Sequence, residues 1–308
     1  VNTGTRALNN LEDHHVPFYK YMDIDRYNAH QKDGNRTYPL VVEVGCVYNC
    51  NFCFNSSGNK PRSRSPEHVI DEIKEAMKRY RFNKVDLMSE NLLSRRKWVI
   101  RFCELIGQNG MKFQWEATGH ARLISDDIIK LVKKHGCMAV GIGFENFSQE
   151  ILNNMNKRIT VEDNVNVLKV LRKNRMKFSG TTIFGYLGEN TETIKENINI
   201  CNEYVFSSPY FWIQAYPLTV LYSQCLEKGI IDNEEEYIET LGDISKFSIN
   251  MTEFSDEEIL FRKQSFDNAI KLNKWDLALC SRLFKHYGLV YLLHFLVRGM
   301  RIPDHLKN

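Results

Sequence analysis

The stretch from residue 40 to residue 54 decides the architecture; it is Leu40-Val41-Val42-Glu43-Val44-Gly45-Cys46-Val47-Tyr48-Asn49-Cys50-Asn51-Phe52-Cys53-Phe54. Its first part, residues 40–45, is apolar and β-branched, which predicts a buried strand. A helical pattern follows over 66–81, with Ser65 as N-cap and Pro66 at the first helical position. The loop with three cysteines therefore lies between a strand and a helix. This is the carboxyl edge of a sheet, where α/β barrels place their active sites.

The alternation of strand and helix continues as far as residue 217. The predicted strands are 40–45, 84–88, 112–117, 137–144, 176–184 and 210–216, and the predicted helices are 66–81, 94–108, 125–134, 148–154 with 160–173, and 191–204. Such an alternation predicts a parallel sheet with right-handed crossovers. Six strands fall short of the eight of a closed barrel. The predicted fold class is therefore α/β, a partial (β/α)6 TIM-like barrel over residues 40–217.

Two further regions flank this predicted core. Residues 1–39 form an irregular N-terminal segment, and residues 218–308 form a helical C-terminal region. In the latter, Ser255 and the acidic residues after it predict the start of a helix over 255–273. Residues 275–297 predict one or two more helices.

Composition and charge narrow the class of protein. Hydrophobic residues make up 43% and charged residues 26% of the 308-residue chain, which is typical of a globular protein and argues against disorder. The net charge of +3 gives no indication of a nucleic-acid partner. No secretory signal opens the sequence, and the most apolar stretch, 288–297, is too short to span a membrane. These features predict a cytoplasmic protein with no membrane partner.

Three of the eight cysteines lie in one short loop, and the other five are scattered, as expected for small buried side chains. Three thiolates suit three irons of a cubane iron–sulfur cluster. No fourth cysteine follows at a matching spacing, which leaves one iron open to a substrate. A zinc site is the alternative, but it needs a fourth ligand, and the nearest histidine downstream, His68, lies within a predicted helix.

The spacing of Cys46, Cys50 and Cys53, with the aromatic Phe52 before the last cysteine, resembles the signature of the radical S-adenosylmethionine superfamily. The resemblance implies that the three cysteines hold one 4Fe–4S cluster whose open iron binds S-adenosylmethionine. It also implies reductive cleavage of S-adenosylmethionine to a 5′-deoxyadenosyl radical. An electron donor such as flavodoxin or ferredoxin would supply the electron.

The same resemblance implies the residues that bind S-adenosylmethionine. Glu90, within Ser89-Glu90-Asn91 after the second predicted strand, would bind its amino group. Glu145, after the fourth, would accept hydrogen bonds from its ribose. The turn after the fifth strand, with Leu187 where proline is usual, would approach its adenine. The implied cofactor-binding set is Phe52, Ser89, Glu90, Asn91, Glu145, Gly185, Leu187 and Gly188; no catalytic residue is assigned.

Residues 11–27 resemble the linker that precedes the radical core in cobalamin-dependent members of the superfamily. Their cobalamin-binding domain is not present in this chain, where 45 residues precede Cys46. The hypothesis is therefore radical modification of a small-molecule or peptide substrate, with C-methylation where cobalamin is supplied. The alternatives are a non-catalytic iron–sulfur scaffold or binding protein, and a tRNA- or peptide-modifying radical enzyme without cobalamin.

Overall fold

The sheet is built from six strands that follow one another in chain order. The computed structural model describes residues 10–14, 17–28, 36–55, 57–58, 60–204, 206, 210–242, 244–269 and 285. The strands of the sheet are β1 (Thr37–Val41), β4 (Lys84–Met88), β5 (Gln114–Gly119), β6 (Cys137–Glu145), β7 (Lys177–Phe184) and β8 (Tyr210–Trp212). Neighbouring strands pair in parallel. In the described residues β1 and β8 are the two edge strands, so the sheet does not close on itself. The predicted α/β class with a partial barrel is confirmed.

Helices follow most of the strands of this sheet. They are α1 (Leu11–His14), α2 (Ile24–Asn28), α3 (Pro66–Arg79), α4 (Arg96–Gln108), α5 (Asp126–Lys134), α6 (Gln149–Asn154), α7 (Val161–Lys173), α8 (Thr191–Glu203), α9 (Val220–Glu227), α10 (Glu234–Thr240) and α11 (Asp256–Ala269). Helix α3 begins as predicted, because the Ser65 side chain accepts from the His68 amide and Pro66 occupies the first position. In none of the described helices is there a segment long and apolar enough to cross a membrane.

The prediction of the first strand was wrong in its bounds. Strand β1 begins at Thr37 and includes Pro39, which an edge strand tolerates because one side of its backbone has no partner strand. The chain then leaves the sheet, and β2 (Glu43–Val44) pairs antiparallel with β3 (Arg62–Ser63). The cysteine loop is therefore closed at its base by a two-stranded ladder.

Two other predicted strands differ in their bounds by two residues or more. The third lies two residues later than predicted, at Gln114–Gly119. The sixth ends at Trp212 instead of residue 216. Beyond this end, the Ala215 amide donates to the Tyr237 hydroxyl of α10 at 3.0 Å. This bond is made with a distant segment, and local sequence preference does not contain it.

The C-terminal region is helical where it is described. Helix α11 has the predicted start: the Ser255 hydroxyl accepts from the Glu258 amide at 3.2 Å, and the Glu258 carboxylate accepts from the Ser255 amide at 3.1 Å. The helices predicted over 275–297 lie outside the described residues, except for Lys285.

The chain divides into two compact units. Unit 1 takes its residues from Val1–Tyr48, Asn55–Gly141 and Met176–Phe178, and unit 2 from Asn49–Phe54, Ile142–Arg175 and Ser179–Asn308. This division passes through the cysteine loop, so Cys46 belongs to unit 1, whereas Cys50 and Cys53 belong to unit 2.

Candidate functional site

The unit 1 part of the cysteine loop is shaped by Gly45. Its φ of +89° favours glycine, and a Cβ there would lie 2.8 Å from the Gly58 carbonyl oxygen. The Gly45 amide donates to Glu90 Oε1 at 3.3 Å. Cys46, the next residue, is half-buried and accepts through its carbonyl from the Asn55 amide group at 3.4 Å. Glu90, predicted to bind S-adenosylmethionine, therefore also holds the backbone beside the first cysteine.

The unit 2 part of the loop is held on both sides of Cys50. The Asn51 amide donates to the Met155 carbonyl at 2.9 Å, and the Asn51 side chain donates to the Asn154 carbonyl at 2.8 Å. On the other side, the Asn156 side chain donates to the Asn49 carbonyl at 2.8 Å. Within this segment Cys50 is buried and Cys53 is exposed.

The two thiols of unit 2 have the chemistry that iron ligation needs. A hydrogen bond from the Cys53 thiol lowers the pKa of Cys50 to about 7, against the effect of burial, and the Lys157 ammonium acts in the same direction. Donation to Cys50 in turn raises the pKa of Cys53. Since the thiolate is the ligating form, a pair that shares one proton near neutral pH fits a thiolate-bound cluster. Among the described residues, no group of three His, Cys, Asp or Glu side chains is arranged around a single metal ion.

Glu145 forms an ion pair that the sequence did not predict. It ends β6 in the left-handed region, with φ +59°, and its Oε1 lies 2.7 Å from Lys157 Nζ. Both residues are more than nine-tenths buried. Burial is the largest single effect and disfavours the ammonium, but the Glu145 carboxylate and the charges of Cys50 and Cys53 together raise the pKa of Lys157. In the part of the chain that the structure describes, Glu145 Oε2 accepts no hydrogen bond.

Ser89 and Asn91 lie with Glu90 at the end of β4 in unit 1. The Ser89 hydroxyl donates to Glu43 Oε1 at 3.2 Å, and Arg95 donates to Glu43 Oε2 at 2.9 Å. Asn91 is buried, and its Oδ1 has no hydrogen-bond partner among the described residues. A buried acceptor without a partner costs about 1–3 kcal/mol, so Asn91 suits a ligand that donates a hydrogen bond.

The predicted glycine turn follows β7 in unit 2. Gly185 and Gly188 have φ of +82° and +90°, in the left-handed region that favours glycine. Leu187 packs against the apolar cluster around Tyr186, and so does Phe52, whose ring lies 6.4 Å from the Tyr186 ring, edge to face. The aromatic residue before Cys53 therefore connects the cysteine loop to this turn.

A buried carboxylate closes the same turn. Glu189 accepts from the Gly185 amide at 2.7 Å and from the Asn146 side chain at 2.8 Å. Burial raises the pKa of Glu189 to about 7. Asn146 follows Glu145 directly and also accepts from the Asn197 side chain at 2.7 Å. This network supports the backbone at Glu145.

The structure places the predicted residues in two groups, one in each unit. Unit 1 holds Cys46, Ser89, Glu90 and Asn91; unit 2 holds Cys50, Phe52, Cys53, Glu145, Gly185, Leu187 and Gly188. The sequence analysis missed the partners Glu43, Arg95, Lys157 and Glu189. Glu43 had a signal, since it is the one charged residue in the apolar run 40–45. Lys157 had none, because a lysine between two helices is usually exposed.

Known proteins are similar to this chain in sequence, and one family pattern matches it. The sequence pattern of the Radical SAM superfamily matches residues 40–201. An uncharacterized methyltransferase from Pyrococcus horikoshii is 24% identical over 300 residues, which are 95% of this chain and 62% of that protein. Cytidylyl-2-hydroxyethylphosphonate methyltransferase from Streptomyces wedmorensis is 24% identical over 72% of this chain and 43% of its own length. The chain thus spans about three fifths or less of these relatives.

One solved structure with a similar fold is TsrM, a radical S-adenosylmethionine methyltransferase from Kitasatospora setae, with tryptophan substrate and a S-adenosylmethionine analog bound. It superposes with a TM-score of 0.58 at 15% identity, over 67% of this chain and 40% of TsrM. At this identity the likeness shows the fold alone. The match to the family pattern covers more than half of the chain and includes all three cysteines of the loop. The predicted family is therefore confirmed: this chain belongs to the Radical SAM superfamily.

Proposed function

We propose that this chain is the core of a radical S-adenosylmethionine enzyme, in which Cys46, Cys50 and Cys53 hold a 4Fe–4S cluster. The observation that carries the proposal is the cysteine loop itself, within the matched residues 40–201. Its Cys50 and Cys53 thiols are hydrogen-bonded, and the pKa of Cys50 is lowered to about 7. When bound, such a cluster supplies the electron that splits S-adenosylmethionine into methionine and a 5′-deoxyadenosyl radical.

The other predicted residues would bind S-adenosylmethionine through the groups that they leave available. Glu145 Oε2 can accept from the ribose while Oε1 remains on Lys157. Asn91 Oδ1 can accept from the ammonium group, and the exposed Glu90 adds a negative charge in the same unit. The proposed adenine contact is the backbone of the Gly185–Gly188 turn, since the Trp212 and Asn154 side chains occupy the space beside its two glycines.

Methyl transfer to carbon is the proposed outcome where cobalamin is supplied. Two relatives are named as methyltransferases, and a structure of TsrM contains cobalamin and a 4Fe–4S cluster. The proposed substrate is a small molecule or peptide, and the proposed electron donor is a flavodoxin or ferredoxin. The proposed outcome, substrate and electron donor rest on the resemblance to these relatives and to TsrM. They are proposals because the chain covers only part of the length of those proteins.

The test is anaerobic reconstitution followed by reduction in the presence of S-adenosylmethionine. We expect about four irons and four sulfides per chain and slow formation of 5′-deoxyadenosine. Replacement of Cys46, Cys50 and Cys53 together by Ala should abolish the cluster and the product. The control is Cys103→Ala, which removes a buried thiol whose pKa burial raises to about 12 and should leave the iron content unchanged.

Two outcomes would contradict the proposal. A triple variant that keeps its iron would place the cluster on other residues. A complete cluster without 5′-deoxyadenosine would favour the iron–sulfur scaffold alternative. Cobalamin is tested separately by gel filtration with the reconstituted chain, and stoichiometric co-elution would show that these residues suffice to bind it.

A further inference from the structure

The buried ion pair of Glu145 and Lys157 is a built feature of unit 2. The two side chains retain 9% and 11% of their exposure, and their charged atoms lie 2.7 Å apart. Gly143, two residues before Glu145 on β6, makes room for them. A Cβ at Gly143 would lie 2.2 Å from Glu145 Oε1 and 2.9 Å from Lys157 Nζ. The pair thus occupies the space that any other residue at position 143 would fill.

The segment that carries Lys157 also holds the cysteine loop. Met155 and Asn154 accept from Asn51, and Asn156 donates to Asn49, so the two residues that flank Cys50 are bonded to the three residues before Lys157. Asn156 itself has a φ of +50°. An asparagine tolerates this left-handed conformation better than most residues. The short connection between α6 and α7 therefore fixes Cys50 and Lys157 relative to each other.

The two charges of the pair act on a nearby negative charge in opposite directions. An ammonium group favours added negative charge and a carboxylate opposes it. Both groups are buried, so water screens them less than it would at the protein surface. The Lys157 ammonium therefore favours an electron added beside the segment that it shares with the cysteine loop.

Reduction adds one electron to a cluster that already has thiolate ligands, so its ease depends on the charges around those ligands. We propose that Lys157, held by Glu145 and by the space at Gly143, is a positioning residue that makes an iron–sulfur cluster on Cys50 and Cys53 easier to reduce. This inference rests on the proposed function, because it needs the cluster. It concerns the cluster alone, in the absence of S-adenosylmethionine.

The experiment measures the reduction potential of the reconstituted full chain without S-adenosylmethionine, by redox titration of its visible absorption and its EPR signal. Lys157→Met removes the charge and keeps an unbranched side chain. We expect it to lower the ratio of reduced to oxidised cluster at a given potential at least tenfold, which is 59 mV for one electron. Lys195→Met is the matched control. Lys195 pairs with Glu192 on the surface of α8 in the same unit, and its loss should leave the potential unchanged.

Glu145→Gln provides the reciprocal test and should raise the potential. If Lys157→Met does not retain a cluster, the reduction potential of Glu145→Gln tests the inference by itself. A Lys157→Met protein with full iron content and an unchanged potential overturns the inference, and so does a Glu145→Gln protein with an unchanged or lower potential. In both cases the proposed function stands, because the cluster is present. A wild-type chain that binds no cluster overturns both proposals.

Discussion

Beside the predicted site residues, each unit has a buried carboxylate with a basic partner, Glu43 with Arg95 and Glu145 with Lys157, and these two pairs differ in their access to water. In unit 1, Glu43 keeps 3% of its side-chain exposure and its partner Arg95 keeps 35%. In unit 2, Glu145 and Lys157 keep 9% and 11%. Arg95 can keep much of its hydration, whereas Lys157 relies on buried partners, Glu145 among them, for its compensation. The comparison teaches that the pair in unit 2 is the more costly to disturb.

The largest effect is expected from Gly143→Ala, which disturbs the buried Glu145–Lys157 pair without removing either charge. The added Cβ would overlap Glu145 Oε1, so the pair must separate or move. Loss of compensation in a buried pair costs about 3–5 kcal/mol, which denaturant unfolding would measure as a lower midpoint. The control is Gly107→Ala in α4 of unit 1, where a Cβ meets only the His135 side chain, at 3.5 Å, and the change should be neutral or stabilising. A loss below about 1 kcal/mol for Gly143→Ala would be smaller than the cost of breaking a buried pair. It would show that Glu145 and Lys157 move aside without losing their contact.

An intermediate effect is expected at Glu189, a buried carboxylate of unit 2 that accepts from the Gly185 amide and the Asn146 side chain. Its pKa is raised from 4.5 to about 7, mainly by burial. The folded state therefore holds this proton more tightly than the unfolded state. The protonated Glu189 carboxyl makes its full contribution to the free energy of unfolding below pH 4.5, and this contribution is lost as the pH rises through 7.

The measurement compares the free energy of unfolding of the wild type and of Glu189→Gln at pH 5 and pH 8. The wild type should lose about 2–3 kcal/mol more than the variant over this interval. The difference between the two proteins isolates Glu189, because every other titrating group is common to both. Equal pH dependence in the two proteins would show that Glu189 ionises as freely in the folded chain as in the unfolded one.

The smallest effect is expected from Arg95→Met, which removes the accessible partner in unit 1. Glu43 retains the hydrogen bond from the Ser89 hydroxyl, and water can replace part of the guanidinium. The expected loss is about 1 kcal/mol, near the upper end for partly exposed pairs. Arg96→Met tests the neighbouring, fully exposed pair with Asp127 and should change stability less. If Arg95→Met costs as much as Gly143→Ala, the distinction between the two pairs fails.

Local patterns in the sequence determined much of the fold before any contact was known. The alternation of strand and helix predicted the six-stranded parallel sheet, and the capping residues Ser65 and Ser255 marked the starts of α3 and α11. Ser148 was also identified at the start of a helix: it is the N-cap residue of α6, although its side chain makes no capping bond. These features are local, because a cap or a hydrophobic stripe depends on residues within a few positions of one another.

The sequence by itself also determined the family, through the spacing of Cys46, Cys50 and Cys53. Only the tertiary structure decided that the cysteine loop is closed by the β2–β3 ladder, that Glu90 holds Gly45, and that Lys157 is buried on Glu145. Each of these depends on segments far apart in the chain or on a space left by a missing side chain. A buried charge is stable only where its partner and its cavity are both present, and sequence spacing contains neither.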